Sequence, residues 1–282
     1  MQLRDWFRLV RFSHTLFALP FAAVGYSLGV IETKLFSWQT LGLVLLCMVT
    51  NRNAAMAFNR LVDARYDAQN PRTAAREIPR GVISRKGAIS FVIVNAVLFM
   101  ASAYALAPLA GWLSPVALAV VLGYSLTKRI TWLCHYILGA GLALAPIGAF
   151  LGVSGGFSIP VLALSLGVML WVAGFDIIYA LQDADFDRAH HLYSVPSRFG
   201  VRTAGKIALV THLVAIFFFC IAILLLPTGW WGYVGWWLFA VILGAQHMLL
   251  YFSHYEFSPR FMFVNGCNSL LLGTLLSIGL LL

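Results

Sequence analysis

Apolar stretches of bilayer-crossing length recur along almost the whole chain, separated by short polar breaks. A hydrocarbon core takes about 20 apolar residues per helix, and such windows lie near 12–31, 38–60, 88–108, 111–127, 133–153, 159–181, 205–226, 231–252 and 261–281. They predict an all-α membrane protein with nine transmembrane helices in a single domain over residues 1–282. Composition excludes the soluble alternative, because a chain that is 61% apolar and 10% charged cannot cover itself with a polar surface. Residues 1–11 carry no short apolar core with a cleavage site and read as a basic, amphipathic interfacial lead-in.

A net charge of +9 raises nucleic acid as a partner, but the bases sort by loop, which is a topology signal. Arg4, Arg8 and Arg11 precede the first window, seven bases lie from Arg60 to Lys86, Lys128 and Arg129 follow the fourth, and four lie from Arg188 to Lys206. The alternate connections carry almost none, Lys34 excepted. The positive-inside rule then predicts an inner-membrane protein with its N-terminus and charged loops in the cytoplasm, its C-terminus outside and lipid around it. Trp112, Trp230, Trp231, Trp236 and Trp237 fall on the other side, as an interfacial aromatic belt does. The four cysteines have no metal or disulfide spacing and read as packing residues.

The acids sort more sharply than the bases: seven of ten lie in two segments, 59–86 and 176–204. On a helix, Asn59, Asp63 and Asp67 share a face within roughly 80°, and Arg52 joins that face about two turns deeper. In the second segment Asp183 and Asp187 are an i,i+4 pair, and Asp176 returns to their face while Asp185 projects away. Each segment sits on the second window of a four-window half. That predicts two similar four-helix halves plus one helix, with a central site. The bland reading of either segment is a solvated helix end with paired charges; two of them in matching places weigh against it. Asp185 and Glu77 read as surface charges, adjacent His190 and His191 as loop residues, and the glycines of windows one, five and nine as close-packing positions.

Hard oxygen donors on two helix ends suit Mg²⁺, which commonly bridges to substrate phosphates. Arg72, Arg76, Arg80, Lys128 and Arg129 are placed to bind phosphate groups directly. No Walker-type glycine loop is present, so a diphosphate on an apolar tail fits better than a nucleotide. An ion-coupled carrier is the rival class, but carriers hold their acids near mid-membrane.

The run Asn59-x-x-x-Asp63-x-x-x-Asp67, followed by Asn70-Pro71-Arg72-Thr73 and Arg76-x-x-Pro79-x-Gly81, resembles the first aspartate-rich motif and loop of the UbiA superfamily of membrane prenyltransferases. Asp176-x-x-Tyr179-Ala180-x-x-Asp183-x-x-x-Asp187 resembles the second. One departure is plain: the family pattern begins Asn-Asp, and Arg60 follows Asn59 here. The resemblance implies Mg²⁺-dependent transfer of a polyprenyl group from its diphosphate to a hydroxylated aromatic acid, 4-hydroxybenzoate-like in ubiquinone synthesis, or alternatively a 1,4-dihydroxynaphthoate in menaquinone synthesis. On that reading Asn59, Asp63, Asp67, Asp176, Asp183 and Asp187 hold the metal, with Asp63, Asp67, Asp183 and Asp187 catalytic. Arg72, Lys128, Arg129 and Tyr179 take the diphosphate. Arg52, with Asn59 and Arg11, takes the aromatic acid.

Overall fold

The computed structural model describes residues 3–10 and 17–282. Among them the regular elements are helical: α1 (Leu3–Val10), α2 (Leu19–Thr33), α3 (Trp38–Gln69), α4 (Arg85–Leu106), α5 (Pro108–Thr127), α6 (Cys134–Ser154), α7 (Ile159–Tyr179), α8 (Ala184–Ala189), α9 (Val195–Phe199), α10 (Val201–Leu225), α11 (Gly229–Phe252) and α12 (Pro259–Leu281). Eight are long and apolar enough to cross a membrane: α3 to α7 and α10 to α12. The first expected span appears as α2, an apolar helix of 15 residues. That is short of the about 20 that a crossing takes, and residues 12–16 of the expected span lie outside the described residues.

Local chemistry sets the boundaries. Ser37 caps α3 by accepting a hydrogen bond from the Thr40 amide at 3.4 Å, and Ser84 caps α4 through the Gly87 amide at 3.1 Å. At its other end α3 stops where Asn70 precedes Pro71, since the proline ring forces the preceding residue out of the helical region. Asn70 is accordingly extended, with φ −93° and ψ 118°.

The described helices group into two compact units, and the grouping departs from the four-plus-four expectation. One contains α1 and α3–α5; the other contains α2 and α6–α12. In the first unit, Leu9, Ala57, Ile78, Ile83, Ala88 and Val92 form a core, and Trp6 stacks on Phe91 with ring centroids 4.6 Å apart. Leu9 and Trp6 of α1 thus pack against protein, while Phe7 stays 52% exposed. Asn53 on α3 donates to Asn95 on α4 at 3.2 Å, a polar contact between two apolar helices.

In the second unit α7 is the central helix, and its Trp171 is fully buried among Phe21, Phe175 and Phe239. The Trp171 indole N–H donates to Asn265 Oδ1 at 3.2 Å, so the one polar atom of that ring is satisfied. Helix approach here depends on glycine. A Cβ on Gly25 of α2 would run into the Pro146 backbone of α6, and a Cβ on Gly139 of α6 would run into the Met169 carbonyl of α7. These are the small-residue contacts that let membrane helices close on one another, and they explain why α2 packs with α6 rather than following α3.

Candidate functional site

The first acidic segment occupies the last turns of α3 and the loop that folds back over them. Asn59 Nδ2 donates to Asp63 Oδ2 at 3.0 Å, which leaves the Asn59 amide oxygen as a further hard acceptor. Asp67 is buried, its side chain 8% exposed, and one Arg76 nitrogen, Nη1, reaches both of its oxygens at 2.6 and 2.8 Å. Thr73 Oγ1 donates to the Asp67 backbone carbonyl at 3.1 Å, and Asn70 Oδ1 accepts the Arg72 amide at 2.9 Å. The loop 70–76 thus caps the carbonyl end of α3 and sets a cation there, where the helix dipole favours positive charge. Arg72 itself is exposed. Arg60, the departure from the family pattern, is buried at 4% exposure on this same stretch.

Deeper along α3, Arg52 Nε is buried and has no hydrogen-bond partner among the described residues, and Asn51 Oδ1 is in the same condition. A buried donor without a partner is costly, and a guanidinium in that condition suits an anionic ligand. Arg11, the weaker candidate for the same role, lies outside the described residues.

The second acidic segment runs from the last turn of α7 through α8. The continuous helix expected here is interrupted: Ala180–Asp183 tightens into a 3-10 turn before α8 begins at Ala184. Angles of 100° per residue therefore do not carry from Asp176 to Asp187. The sorting of the acids nevertheless follows the expectation. Asp183 and Asp187 are buried, Asp187 with its side chain 2% exposed, while Asp185 is 98% exposed and pairs only with Arg188 three residues on. Tyr179 is half-buried and meets Phe257 edge-on, centroids 5.4 Å apart.

Lys128, just past α5, bonds Asp187 through Nζ at 2.9 Å. Burial alone would push its ammonium down, but the charge and hydrogen bond of Asp187, with Asp183 adding, outweigh this and raise it above 10.5. The Lys128 backbone carbonyl accepts the Tyr193 amide at 2.6 Å, tying the post-α8 turn to the same loop. Arg129 beside it is exposed. His190 stacks on Phe186 at 3.9 Å and bonds its carbonyl, and His191 is in the left-handed region at φ 54°, so the pair are loop residues.

Two partners of the acids were missed by sequence reasoning. Arg76 was placed among phosphate binders and instead holds Asp67; His135, on α6, holds Asp176 with Nδ1 2.7 Å from Oδ2. No spacing could have given the second pair, because 41 residues separate them.

The donors present are of the type Mg²⁺ takes: carboxylate oxygens and the Asn59 amide oxygen, with no thiolate. Among the described residues no three His, Cys, Asp or Glu side chains converge to hold a metal by themselves.

The UbiA prenyltransferase family profile matches residues 18–266. The chain is 31% identical to a 4-hydroxybenzoate octaprenyltransferase of Aliivibrio fischeri (strain MJ11) over 188 residues, 66% of this chain and 62% of that relative, so the match spans less than two thirds of the relative's length. The apo structure of a UbiA homologue from Aeropyrum pernix K1 is 31% identical and superposes with a TM-score of 0.84 over 93% of this chain and 96% of that one. A UbiA homologue from Archaeoglobus fulgidus bound to GPP and Mg²⁺ shares the fold at 20% identity, with a TM-score of 0.75 over 98% of each chain.

Proposed function

Given that the chain belongs to the UbiA prenyltransferase family, we propose that it transfers a polyprenyl group from polyprenyl diphosphate to a hydroxylated aromatic acid of the 4-hydroxybenzoate type, on the route to a quinone. The observation that carries the reading is the pair of acidic helix ends, each with buried carboxylates held by a basic side chain: Asp67 by Arg76 and Asp187 by Lys128. The name of the Aliivibrio relative supports the acceptor class. A carrier would place acids in mid-helix, whereas Asp67 and Asp176 lie within the last turn of α3 and of α7.

The roles follow from the placement. Asn59, Asp63 and Asp67 at the end of α3, and Asp176, Asp183 and Asp187 at the end of α7 and on α8, would each offer oxygen ligands to Mg²⁺, which when bound would supply neutralising charge for the departing diphosphate. Arg72, Lys128 and Arg129 take phosphate oxygens, and Tyr179 braces the group. The allylic C–O bond to the diphosphate breaks, a C–C bond to the aromatic ring forms, and the ring loses a proton. Arg52 holds the acceptor carboxylate, which satisfies its buried Nε, with Asn59 beside the ring. The apolar helices exclude water and so protect the reactive prenyl carbon. The enzyme sits in the inner membrane with its basic loops and active residues on the cytoplasmic side.

Membranes carrying the protein, supplied with geranyl and longer prenyl diphosphates and either 4-hydroxybenzoate or 1,4-dihydroxy-2-naphthoate, test this directly. Mass spectrometry should find prenylated 4-hydroxybenzoate with Mg²⁺ and none with EDTA. Product from the naphthoate alone moves the enzyme to the menaquinone route. Full activity in EDTA removes the metal from the reading.

A further inference from the structure

His135 is fully buried at the start of α6 and makes two hydrogen bonds whose directions fix its tautomer. The backbone N–H of Val195 donates to Nε2 at 3.2 Å, so Nε2 is bare and the ring proton sits on Nδ1. Nδ1–H therefore donates to Asp176 Oδ2 at 2.7 Å. Asp176 keeps its side chain 24% exposed, and His135 engages Oδ2, one of its two oxygens.

The two contacts join three elements. Asp176 is on α7, and Val195 opens α9, whose start is fixed by a capping box between Ser194 and Ser197. The neighbouring Cys134 Sγ donates to the Tyr193 carbonyl at 3.5 Å, and Tyr193 N is bonded to Lys128, which holds Asp187. His135 thus stands where the α7 carboxylate and the return from α8 are tied to one helix.

We propose that His135 is a positioning residue for Asp176: it fixes one carboxylate oxygen through Nδ1–H and leaves the other aimed at a divalent cation, while Nε2 anchors the turn that follows the second acidic segment. The inference rests on the reading of Asp176 as a cation ligand. Outer hydrogen-bond partners of metal-binding groups are worth about 10- to 100-fold in metal affinity.

The test is Mn²⁺ binding followed by EPR on purified protein in detergent, with geranyl diphosphate and no aromatic acceptor. His135→Asn places an amide N–H close to where Nδ1–H was and should bind Mn²⁺ within a few-fold of the wild type. His135→Gln reaches the Nε2 position instead, and His135→Ala reaches neither; both should bind about 10- to 100-fold more weakly. Adding His135→Ala to Asp176→Asn should cost nothing further, since the group it positions is already changed. Equal binding by the Asn and Gln variants overturns the proposal even if the Ala variant fails to fold. Wild-type affinity in His135→Ala with weakened Asp176→Asn overturns it too and leaves the acidic site standing. Wild-type affinity in Asp176→Asn removes both.

Discussion

Arg52 is the residue on which the proposed acceptor position depends, because its buried Nε has no partner among the described residues. Arg52→Lys keeps the charge and loses the planar fork. Loss of a charge-assisted bidentate contact costs about 1.5–3 kcal/mol, or about 10- to 150-fold in affinity. KM for the aromatic acid should rise by that factor while KM for the prenyl diphosphate moves little. A rise in the second KM alone would put Arg52 with the phosphates. The acids of the second segment give a sharper contrast. Asp185 is 98% exposed and its pair with Arg188 is a surface contact, so Asp185→Asn should keep most activity. Asp183→Asn, at a buried position, should lose it by orders of magnitude. Equal losses in steady-state turnover would mean that burial does not report function in this segment.

Helix packing makes its own prediction, because two glycines of α6 differ in what surrounds them. Gly139→Ala would press its Cβ against the Met169 carbonyl of α7, whereas Gly148→Ala meets nothing. Overpacking of this kind costs about 1–3 kcal/mol, while alanine in open helix positions is favourable. Thermal unfolding in detergent should show a lower Tm for the first variant and an unchanged or higher one for the second. The link from Lys128 to Asp187 belongs to this scale as well, since it ties the loop before α6 to α8. The ammonium is raised above 10.5 in the folded protein, so its contribution is fully present below about that pH and is lost as pH climbs through the folded value. The Tm gap between wild type and Lys128→Met should therefore stay constant from about pH 7 to pH 10 and close only at higher pH. A gap that narrows already near pH 8 would show that the ammonium is not held up.

For the molecule as a whole, the short helix α2 decides the topology. If α2 crosses together with the eight longer helices, the number of crossings is odd and the C-terminus lies opposite the basic loops, as the charge distribution predicts. A C-terminal alkaline phosphatase fusion should then be active and a green fluorescent protein fusion dark. The reverse result would mean that α2 turns back within the membrane.

Residue order alone determined the helical class, most of the long apolar helices and the two segments in which the acids collect, for physical reasons that act locally. It did not show that α3 runs on to Gln69, past the expected end at residue 60. Apolar length selects a spanning helix, Asn70-Pro71 stops α3, and acids in an apolar chain gather where function holds them. The folded chain decided what local rules cannot reach. The tightening of 180–183 into a 3-10 turn was not legible in Ala180-Leu181-Gln182-Asp183, which is as compatible with a continuing helix. Arg76 went to Asp67, nine residues away, because a loop folded back on its own helix. His135 met Asp176 because Gly139 lets α6 close on α7. The membership of α2 in the second unit came from the fit of Gly25 against Pro146. Each of these is a contact between distant residues, set by which backbones can approach, and side-chain periodicity carries no record of it.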